Sequence, residues 1–253
     1  SPPQEAVLEL VTSYSSRELP GATSSQVKSW IDRGNNEPAE RFWTLDPIDG
    51  TKGFLRGDQY ATAFALIEDG LVRIGVIGCP NLGDPHDAAA GAAGTLVVAA
   101  RGQGAWATSL ENPGEYSSLK VSDRSDPSRT RMLRSFESAH TNTGQIGELV
   151  ARLKVAADPV PMDSQAKYCV LAAGRGDMLV RLLSSKKPNY QEKIWDQAAG
   201  AIVVEEAGGR ITDLHGLPLD FSAGRTLANN RGVLASNGLL HPAGLAALEA
   251  IGV

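Results

Sequence analysis

The sequence is poor in cysteine and in positive charge, and it has no long hydrophobic run. Its two cysteines, Cys79 and Cys169, are too few for a disulfide framework and lie inside apolar runs, as buried free thiols do in a reducing compartment. A net charge of −5 at pH 7 argues against general binding of nucleic acid. No signal-peptide pattern is present, and no apolar run approaches the roughly 18 residues that span a membrane.

These absences predict a cytoplasmic globular protein with no nucleic-acid or membrane partner, and we expect a monomer. A targeting segment upstream of Ser1 would not be visible in this sequence. The apolar fraction of 42% in 253 residues is enough for the core of one large domain or two modest ones.

A change of composition divides the chain. Between residues 109 and 128 it shifts to Ser, Asp, Pro and Glu, which predicts a domain boundary near residue 120. Residues 1–120 are rich in hairpin signals, whereas residues 121–253 alternate between strand and helix patterns. We therefore expect an α+β half followed by an α/β half.

Apolar periodicity predicts the individual elements. The predicted helices are Gln4–Ser16, a short helix capped by Ser24 or Ser25 and ending at Trp30, Ile146–Leu153, Gln165–Ala173, Trp195–Ala207 and His241–Ala250. The predicted strands are Phe42–Leu45, Tyr60–Ile67, Leu71–Ile77, Gly94–Ala100, Gln103–Ala107, Met132–Glu137, Val160–Met162, Asp177–Leu182 and Val233–Ser236. Residues 82–94 are predicted to form a loop.

The most informative stretch follows the apolar run 42–45, where two carboxylates, Asp46 and Asp49, stand three residues apart. Pro47 fixes its own φ and favours extended geometry at Asp46, so a strand end and a turn are predicted. The two carboxylates and the carbonyl of Ile48 can then point into one small volume, and Mg²⁺ prefers such oxygen ligands. A solvated Asp-Pro turn is the alternative interpretation of the bare pattern.

Gly50 and Thr51 follow directly, and their backbone amides and hydroxyl suit a phosphate group. The string 46–51 resembles the first signature of the inositol monophosphatase superfamily, whose members are metal-dependent, lithium-inhibited phosphatases. The longer stretch 43–56 is most similar to the 3'(2'),5'-bisphosphate nucleotidase branch, which removes a phosphate from 3'-phosphoadenosine 5'-phosphate. The resemblance extends from about Arg41 to about Asn237.

A second signature lies at residues 194–200, Ile-Trp-Asp-Gln-Ala-Ala-Gly. On its own, Asp196 would favour the dipole of a helix that begins here, and the small residues would permit close packing. Together with the first signature, the stretch resembles the superfamily pattern W-D-x-A-x-G. The resemblance implies that Asp196 is a ligand of the second metal ion and lies beside the bound nucleotide.

A third stretch, residues 161–168, combines polar and basic side chains. Asp163 or Ser164 can cap the helix predicted from Gln165. Lys167 lies one turn into that helix, so a hydroxyl, backbone amides and an ammonium group can converge on a phosphate. The nucleotidase resemblance implies that Ser164 and Lys167 hold the phosphate that is not removed, and that Arg181 belongs to the same site.

His140 follows the predicted strand Met132–Glu137. A single histidine is usually structural or solvent-facing. The nucleotidase resemblance implies instead that His140 contacts the adenine of the substrate.

The resemblance also implies a fold and a mechanism. The fold is the layered αβαβα sugar-phosphatase fold, with the site between the two halves. The activity is hydrolysis of the 3'-phosphate of 3'-phosphoadenosine 5'-phosphate or 3'-phosphoadenylyl sulfate, a reaction of sulfur assimilation. The catalytic residues that it implies are Asp49 and Thr51. Thr51, together with an Asp of the family's opening segment, orients or deprotonates the attacking water, and the amides of Gly50 and Thr51 hold the transferred phosphate. The ligands implied for two or three Mg²⁺ ions are Asp46, Asp49, the Ile48 carbonyl and Asp196.

One departure from the family pattern concerns the start of the chain. The family places a metal-ligand Glu in a Gly-Glu-Glu segment upstream of the first signature, and an Asp paired with the signature Thr still earlier. Neither segment precedes Asp46, because Glu5 and Glu9 lie on a predicted helix without that context. We expect that the family's opening segment lies outside this sequence, and that residues 1–253 alone bind Mg²⁺ weakly and hydrolyse nothing measurable.

Two alternatives to the nucleotidase interpretation remain open. One is a phosphatase of the same superfamily that acts on inositol phosphates. The other is a non-catalytic nucleotide-binding relative.

Overall fold

The computed structural model describes residues 2–83, 94–136, 143–184 and 189–253. The chain divides into two compact units, Ser1–Ala39 and Glu40–Val253. Within the described ranges, no helix has the length and apolar character needed to cross a membrane.

The first unit contains two helices, α1 (Pro2–Glu18) and α2 (Ser24–Arg33). The hydroxyl of Ser16 donates to the carbonyl of Ala22 at 3.2 Å, which ties the end of α1 to the turn. The helix cap predicted at Ser24 or Ser25 is wrong, because Thr23 caps α2. Thr23 accepts from the backbone of Gln26 and donates its own backbone N–H to the Gln26 side chain, a reciprocal capping box.

The second unit contains two sheets and the remaining helices. The strands are β1 (Arg41–Asp49), β2 (Ala61–Glu68), β3 (Leu71–Cys79), β4 (Thr95–Ala100), β5 (Gly104–Ser109), β6 (Ser117–Ser118), β7 (Met132–Arg134), β8 (Val160–Pro161), β9 (Met178–Arg181), β10 (Arg210–Thr212) and β11 (Val233–Ser236). The helices are α3 (Thr51–Arg56), α4 (Thr143–Leu153), α5 (Ala166–Ala172), α6 (Ala198–Glu206) and α7 (His241–Ala250), with 3₁₀ helices at Pro127–Arg129 and Ile194–Asp196.

The first sheet is antiparallel throughout, in the order β1-β2-β3-β4-β5-β6. Its β2–β3 hairpin turns at Asp69 and Gly70, whose φ values of 52° and 73° lie in the left-handed region that a tight primed turn requires. The hairpin therefore forms where the sequence predicted it, and so does the β4–β5 hairpin.

The second sheet is mixed, in the order β10-β11-β9-β7-β8. Strand β7 runs parallel to β8 and β9, whereas β11 is antiparallel to β9 and β10. Helices α5 and α6 contact strands of both sheets and form the layer between them. Helices α4 and α7 pack on each other, and α7 also contacts β11. Residues 40–253 thus stack as sheet, helices, sheet, helices.

Helix α6 is buried on all sides from Ala198 to Val204, which explains its small residues. A Cβ at Gly200 would lie 2.0 Å from the Tyr168 ring, so only glycine permits this approach of α6 to α5. The close packing predicted for residues 198–200 is therefore present.

The structure corrects several predicted boundaries. The helix predicted from Trp195 begins at Ala198, after a separate 3₁₀ turn that carries Asp196. The strand predicted at Met132–Glu137 ends at Arg134, and residues 137–142 lie outside the described ranges, as do residues 84–93 of the predicted loop. The boundary predicted near residue 120 falls where the chain passes from β6 to β7, and the division into halves stays a prediction.

Candidate active site

The first carboxylate segment, residues 46–51, is shaped by an irregularity at the end of β1. Asp46 pairs with Ala63 and Asp49 with Ala61, so two residues of β1 oppose one of β2. Such a bulge bends the strand and re-aims its side chains. The backbone N–H of Ile48 donates to Oδ1 of Asp46 at 3.2 Å, and the turn ends at Gly50, whose φ of 79° starts α3.

A cavity of about 400 Å³ lies against this segment. Nine of the ten predicted site residues line it: Asp46, Ile48, Asp49, Gly50, Thr51, Ser164, Lys167, Arg181 and Asp196. His140, the tenth, lies outside the described residues. Stretches separated by more than a hundred positions in the sequence thus share one cavity, while the role of each residue stays a prediction.

Three of the four aspartates that line the cavity, Asp46, Asp49 and Asp196, carry raised pKa values. Burial, followed by the charge of Asp49, raises the pKa of Asp46 to about 6, while hydrogen bonds with Ile48 and Asp196 oppose the shift. Burial raises the pKa of Asp196 to about 7; Arg181 opposes this, and Asp49 and Asp46 add to it. Burial also raises the pKa of Asp49. The carboxylates therefore disfavour one another's ionised forms.

Asp49 is held from the opposite side of the cavity by the segment before α5. The backbone N–H of Gln165 donates to Oδ2 of Asp49. Ser164 adopts a φ of 62°, unusual for a residue with a side chain, and packs against Gly50 so closely that a Cβ on Gly50 would lie 2.9 Å from the Ser164 Cβ. The glycine at position 50 is required by this close approach as well as by its own φ.

The cap predicted at Asp163 or Ser164 is wrong, because the N-cap of α5 is Gln165, whose side chain makes no capping bond. Ser164 still supports the helix start, since its Oγ accepts from the backbone N–H of Ala166 at 3.2 Å. The helix itself begins at Ala166, one residue later than predicted.

Lys167 is 4% exposed, and its Nζ donates to the carbonyls of Met162 and Ser164 at 3.0 and 2.7 Å. An ammonium group has three donors, so these bonds use two of them. Burial lowers the pKa of Lys167 to about 8, opposed by the charge of Asp49.

Arg181, at the end of β9, is paired with a buried glutamate that the sequence did not single out. Its Nη2 lies 2.8 Å from Oε2 of Glu192, which is 4% exposed. The side chain of Gln197 donates to the same glutamate oxygen at 2.8 Å and accepts from the hydroxyl of Tyr168. No sequence pattern indicated that Glu192 or Tyr168 belongs to the site. For Gln197 the only indication was its position next to Asp196.

A divalent cation fits the chemistry of this cavity. Three carboxylates repel one another there, and the carbonyl of Ile48 supplies a further oxygen beside them. In the part of the chain that the structure describes, no three His, Cys, Asp or Glu side chains converge closely enough to hold a metal ion by themselves. The carboxylates and the Ile48 carbonyl are therefore of the right chemical type for a divalent cation, but they supply only part of its ligand set.

Comparison with known proteins defines the class. Residues 5–252 match the inositol monophosphatase family. Over 222 residues the chain is 44% identical to the 3'(2'),5'-bisphosphate nucleotidase 1 of Candida albicans. The aligned region covers 82% of this chain and 60% of that protein. Over 242 residues it is 40% identical to the 3'(2'),5'-bisphosphate nucleotidase of Dictyostelium discoideum, covering 94% of this chain and 70% of that protein.

Among solved structures, the IMPase of Thermotoga maritima aligns with a TM-score of 0.64 at 25% identity, covering 85% of this chain and 71% of that one. The chain belongs to the inositol monophosphatase family, and the layered fold class expected from the sequence is confirmed. The chain spans about 60% of the length of the Candida relative.

Proposed function

We propose that the protein is a Mg²⁺-dependent phosphomonoesterase that hydrolyses the 3'-phosphate of 3'-phosphoadenosine 5'-phosphate, and of its sulfated form, to AMP or adenylyl sulfate. The observation that carries the proposal is the cavity, because it joins three mutually repelling carboxylates with two cationic side chains, the buried Lys167 and the partly buried Arg181. The named relatives are nucleotidases, which supports the same substrate class.

Asp46, Asp49, Asp196 and the carbonyl of Ile48 would hold the cations, two or three in number. Bound Mg²⁺ would lower the pKa of a water and neutralise charge on the phosphoryl oxygens and the leaving group. The family pattern adds a glutamate ligand from an upstream segment, so the full ligand set is proposed for the full-length protein.

The remaining residues act on the substrate directly. The backbone amides of Gly50 and Thr51 would hold the transferred phosphate where negative charge is greatest, which is the most effective place for electrostatic stabilisation. The hydroxyl of Thr51 donates to the Ile48 carbonyl at 3.1 Å, so its oxygen retains lone pairs to orient a water molecule.

The second phosphate would be bound by Ser164, Lys167 and Arg181. Lys167 keeps one ammonium hydrogen beyond its two carbonyl contacts, and burial strengthens its attraction for an anion. His140 remains our proposed contact for the adenine. A nucleotide with two phosphates would occupy both phosphate sites, the amides of 50–51 and the group formed by Ser164, Lys167 and Arg181. An inositol monophosphate would occupy only one of these sites.

The decisive experiment measures phosphate release by the full-length protein from a panel of substrates with and without Mg²⁺. We expect kcat/KM for 3'-phosphoadenosine 5'-phosphate to exceed that for inositol monophosphates by at least about tenfold, on the strength of one additional charged contact. Faster release from inositol phosphates would favour the inositol phosphatase alternative. Nucleotide binding without release from any substrate would favour a non-catalytic relative.

The two cysteines support a reducing compartment such as the cytoplasm as the proposed location. Both are buried free thiols, with sulfur atoms 3.9 Å apart. A monomer stays our expectation for the oligomeric state.

A further inference from the structure

Gln165 connects the two carboxylate segments. It is 2% exposed, and its backbone N–H donates to Asp49 of the first segment. Its side chain reaches the second carboxylate segment, residues 194–200. There Nε2 donates to the carbonyl of Trp195 at 2.9 Å, and Oε1 accepts from the backbone N–H of Gly200 at 3.0 Å.

The side-chain bonds of Gln165 replace a local helix cap. Helix α6 starts after Gln197, whose side chain makes no capping hydrogen bond. The first backbone N–H groups of a helix have no partner within the helix and need an outside acceptor. Gln165 provides that acceptor for Gly200 from a separate element, and it simultaneously holds the carbonyl of the residue before Asp196. The turn that carries Asp196 is thus fixed on both sides by one side chain.

The backbone around Gln165 is itself constrained. Ser164, directly before it, is held at a positive φ and packed against Gly50. Strained residues persist where the surrounding structure fixes them, and they concentrate at functional sites. Directly after Ser164, the backbone N–H of Gln165 donates to Asp49 and its side chain bonds the start of helix α6, so one residue contacts both segments.

We propose that Gln165 is a positioning residue that sets the separation of Asp49 and Asp196 and thereby the shape of the cation site. This inference rests on the proposed function for its catalytic consequence, although the coupling of the two segments does not. Residues behind metal ligands typically change metal affinity by 10- to 100-fold when they are replaced.

The test uses Gln165→Met in the full-length protein, since methionine keeps the length of the side chain and the backbone N–H but removes both polar contacts. The matched control is Gln59→Met. Gln59 is partly buried, its Nε2 donates to the carbonyl of Asn81 at 2.7 Å, and it contacts neither carboxylate segment through that bond.

The first readout is amide hydrogen exchange without metal. In Gln165→Met we expect the amide of Gly200 to exchange faster, and the amide at position 165, which bonds Asp49, to exchange faster as well, by on the order of tenfold. The second amide is decisive, since its acceptor is not altered by the substitution. Wild-type exchange at that amide would mean that the two contacts are independent, which would overturn the proposal.

The second readout is Mn²⁺ affinity followed by electron paramagnetic resonance, together with kinetics. We expect Mn²⁺ to bind 10- to 100-fold more weakly and kcat to fall, while KM for the nucleotide stays within about twofold. The Gln59→Met control should match wild type in all three. Unchanged Mn²⁺ affinity in Gln165→Met would overturn the positioning role. Failure of the wild type to bind Mn²⁺ would overturn the proposed function, and the exchange data would still decide the coupling.

Discussion

The molecule holds buried aspartates in two contrasting environments. Asp177 is 0% exposed, yet its pKa is lowered despite burial, because Arg131 and Ser122 donate hydrogen bonds to it. Arg124 contributes a further ion pair at 3.0 Å. In the cavity, Asp46 and Asp196 have pKa values raised to about 6 and 7.

The difference separates a structural carboxylate from the carboxylates of the proposed cation site. Asp177 joins residues 122–131 to the start of β9, and its charge is balanced within the fold. Asp46, Asp49 and Asp196 repel one another, and Lys167 and Arg181 balance their charge only in part, so their pKa values stay raised. Perturbed and unbalanced groups in a cavity are typical of functional sites.

The largest effect should follow from removing a cavity carboxylate. We expect Asp49→Asn or Asp196→Asn in the full-length protein to lower kcat by on the order of 10³-fold or more, because a charged ligand of several cations is lost. The fold should be retained, as judged by circular dichroism. Turnover above a tenth of wild type at saturating Mg²⁺ would contradict the assignment of these residues as metal ligands.

Removing the structural carboxylate should give the opposite pattern. We expect Asp177→Asn to lower the free energy of unfolding by about 3 kcal/mol, the lower end for a broken buried ion pair, since Arg124 and Arg131 remain partly solvated. The protein that stays folded should keep its kcat. Urea denaturation measures the free energy of unfolding, and kinetics at urea concentrations below the unfolding transition measure kcat. A variant that is stable but inactive would contradict a purely structural role for Asp177.

The buried, neutral His241 predicts a pH dependence of the free energy of unfolding. Burial, followed by the charge of Arg210, lowers the pKa of His241 to about 4, and its ring lies 3.0 Å from the hydroxyls of Thr212 and Ser236. The unfolded state takes up a proton below its pKa of about 6.5 and the folded state does not. The contribution of His241 to the free energy of unfolding should therefore be constant above pH 6.5. It should fall by up to about 3 kcal/mol as the pH decreases to 4.

His241→Gln serves as the reference for this pH dependence. The difference in unfolding free energy between wild type and the variant, measured by urea denaturation, should shrink as the pH falls from 6.5 to 4. A difference that does not change with pH would show that His241 is not kept neutral by the fold.

The smallest expected change concerns the buried cation of the cavity. Lys167→Ala should raise KM for 3'-phosphoadenosine 5'-phosphate by roughly 10- to 150-fold and change kcat little, because a contact of about 1.5–3 kcal/mol is lost equally from bound substrate and transition state. Steady-state kinetics beside Lys120→Ala, an exposed control, would measure this. An unchanged KM would mean that Lys167 only binds the carbonyls of Met162 and Ser164.

The features that the sequence predicted correctly have local causes. Gly50 dictates the turn after β1 through its own backbone preference, and Asp69-Gly70 does the same for the hairpin. The strand end predicted after Leu45 is wrong, because β1 continues through Pro47 to Asp49 with a bulge. The start of α6 was predicted wrongly because the acceptor for Gly200 comes from Gln165, 35 positions away. The short strands β6 and β10 have no apolar pattern of their own and form by pairing with a neighbour.

In the candidate site, too, some residues were predictable from local sequence and others were not. Its carboxylates and the residues proposed to bind phosphate stand in stretches that the sequence analysis identified. Glu192 and Tyr168 become neighbours of Arg181 and Gln197 only through packing in the fold. No spacing within one segment can predict such contacts. Family resemblance helps where a motif is contiguous, and the supporting contacts require the fold.

We propose that Asp46, Asp49 and Asp196 are kept in mutual repulsion, which a bound cation relieves. This claim is tested most directly by the free energy of unfolding of the full-length protein as a function of Mg²⁺ concentration, for wild type and Asp49→Asn. We expect wild type to gain about 2.7 kcal/mol at a hundred times its dissociation constant. Asp49→Asn should be at least as stable as wild type without Mg²⁺ and gain little with it. A wild type indifferent to Mg²⁺, or a variant that gains as much, would contradict the claim.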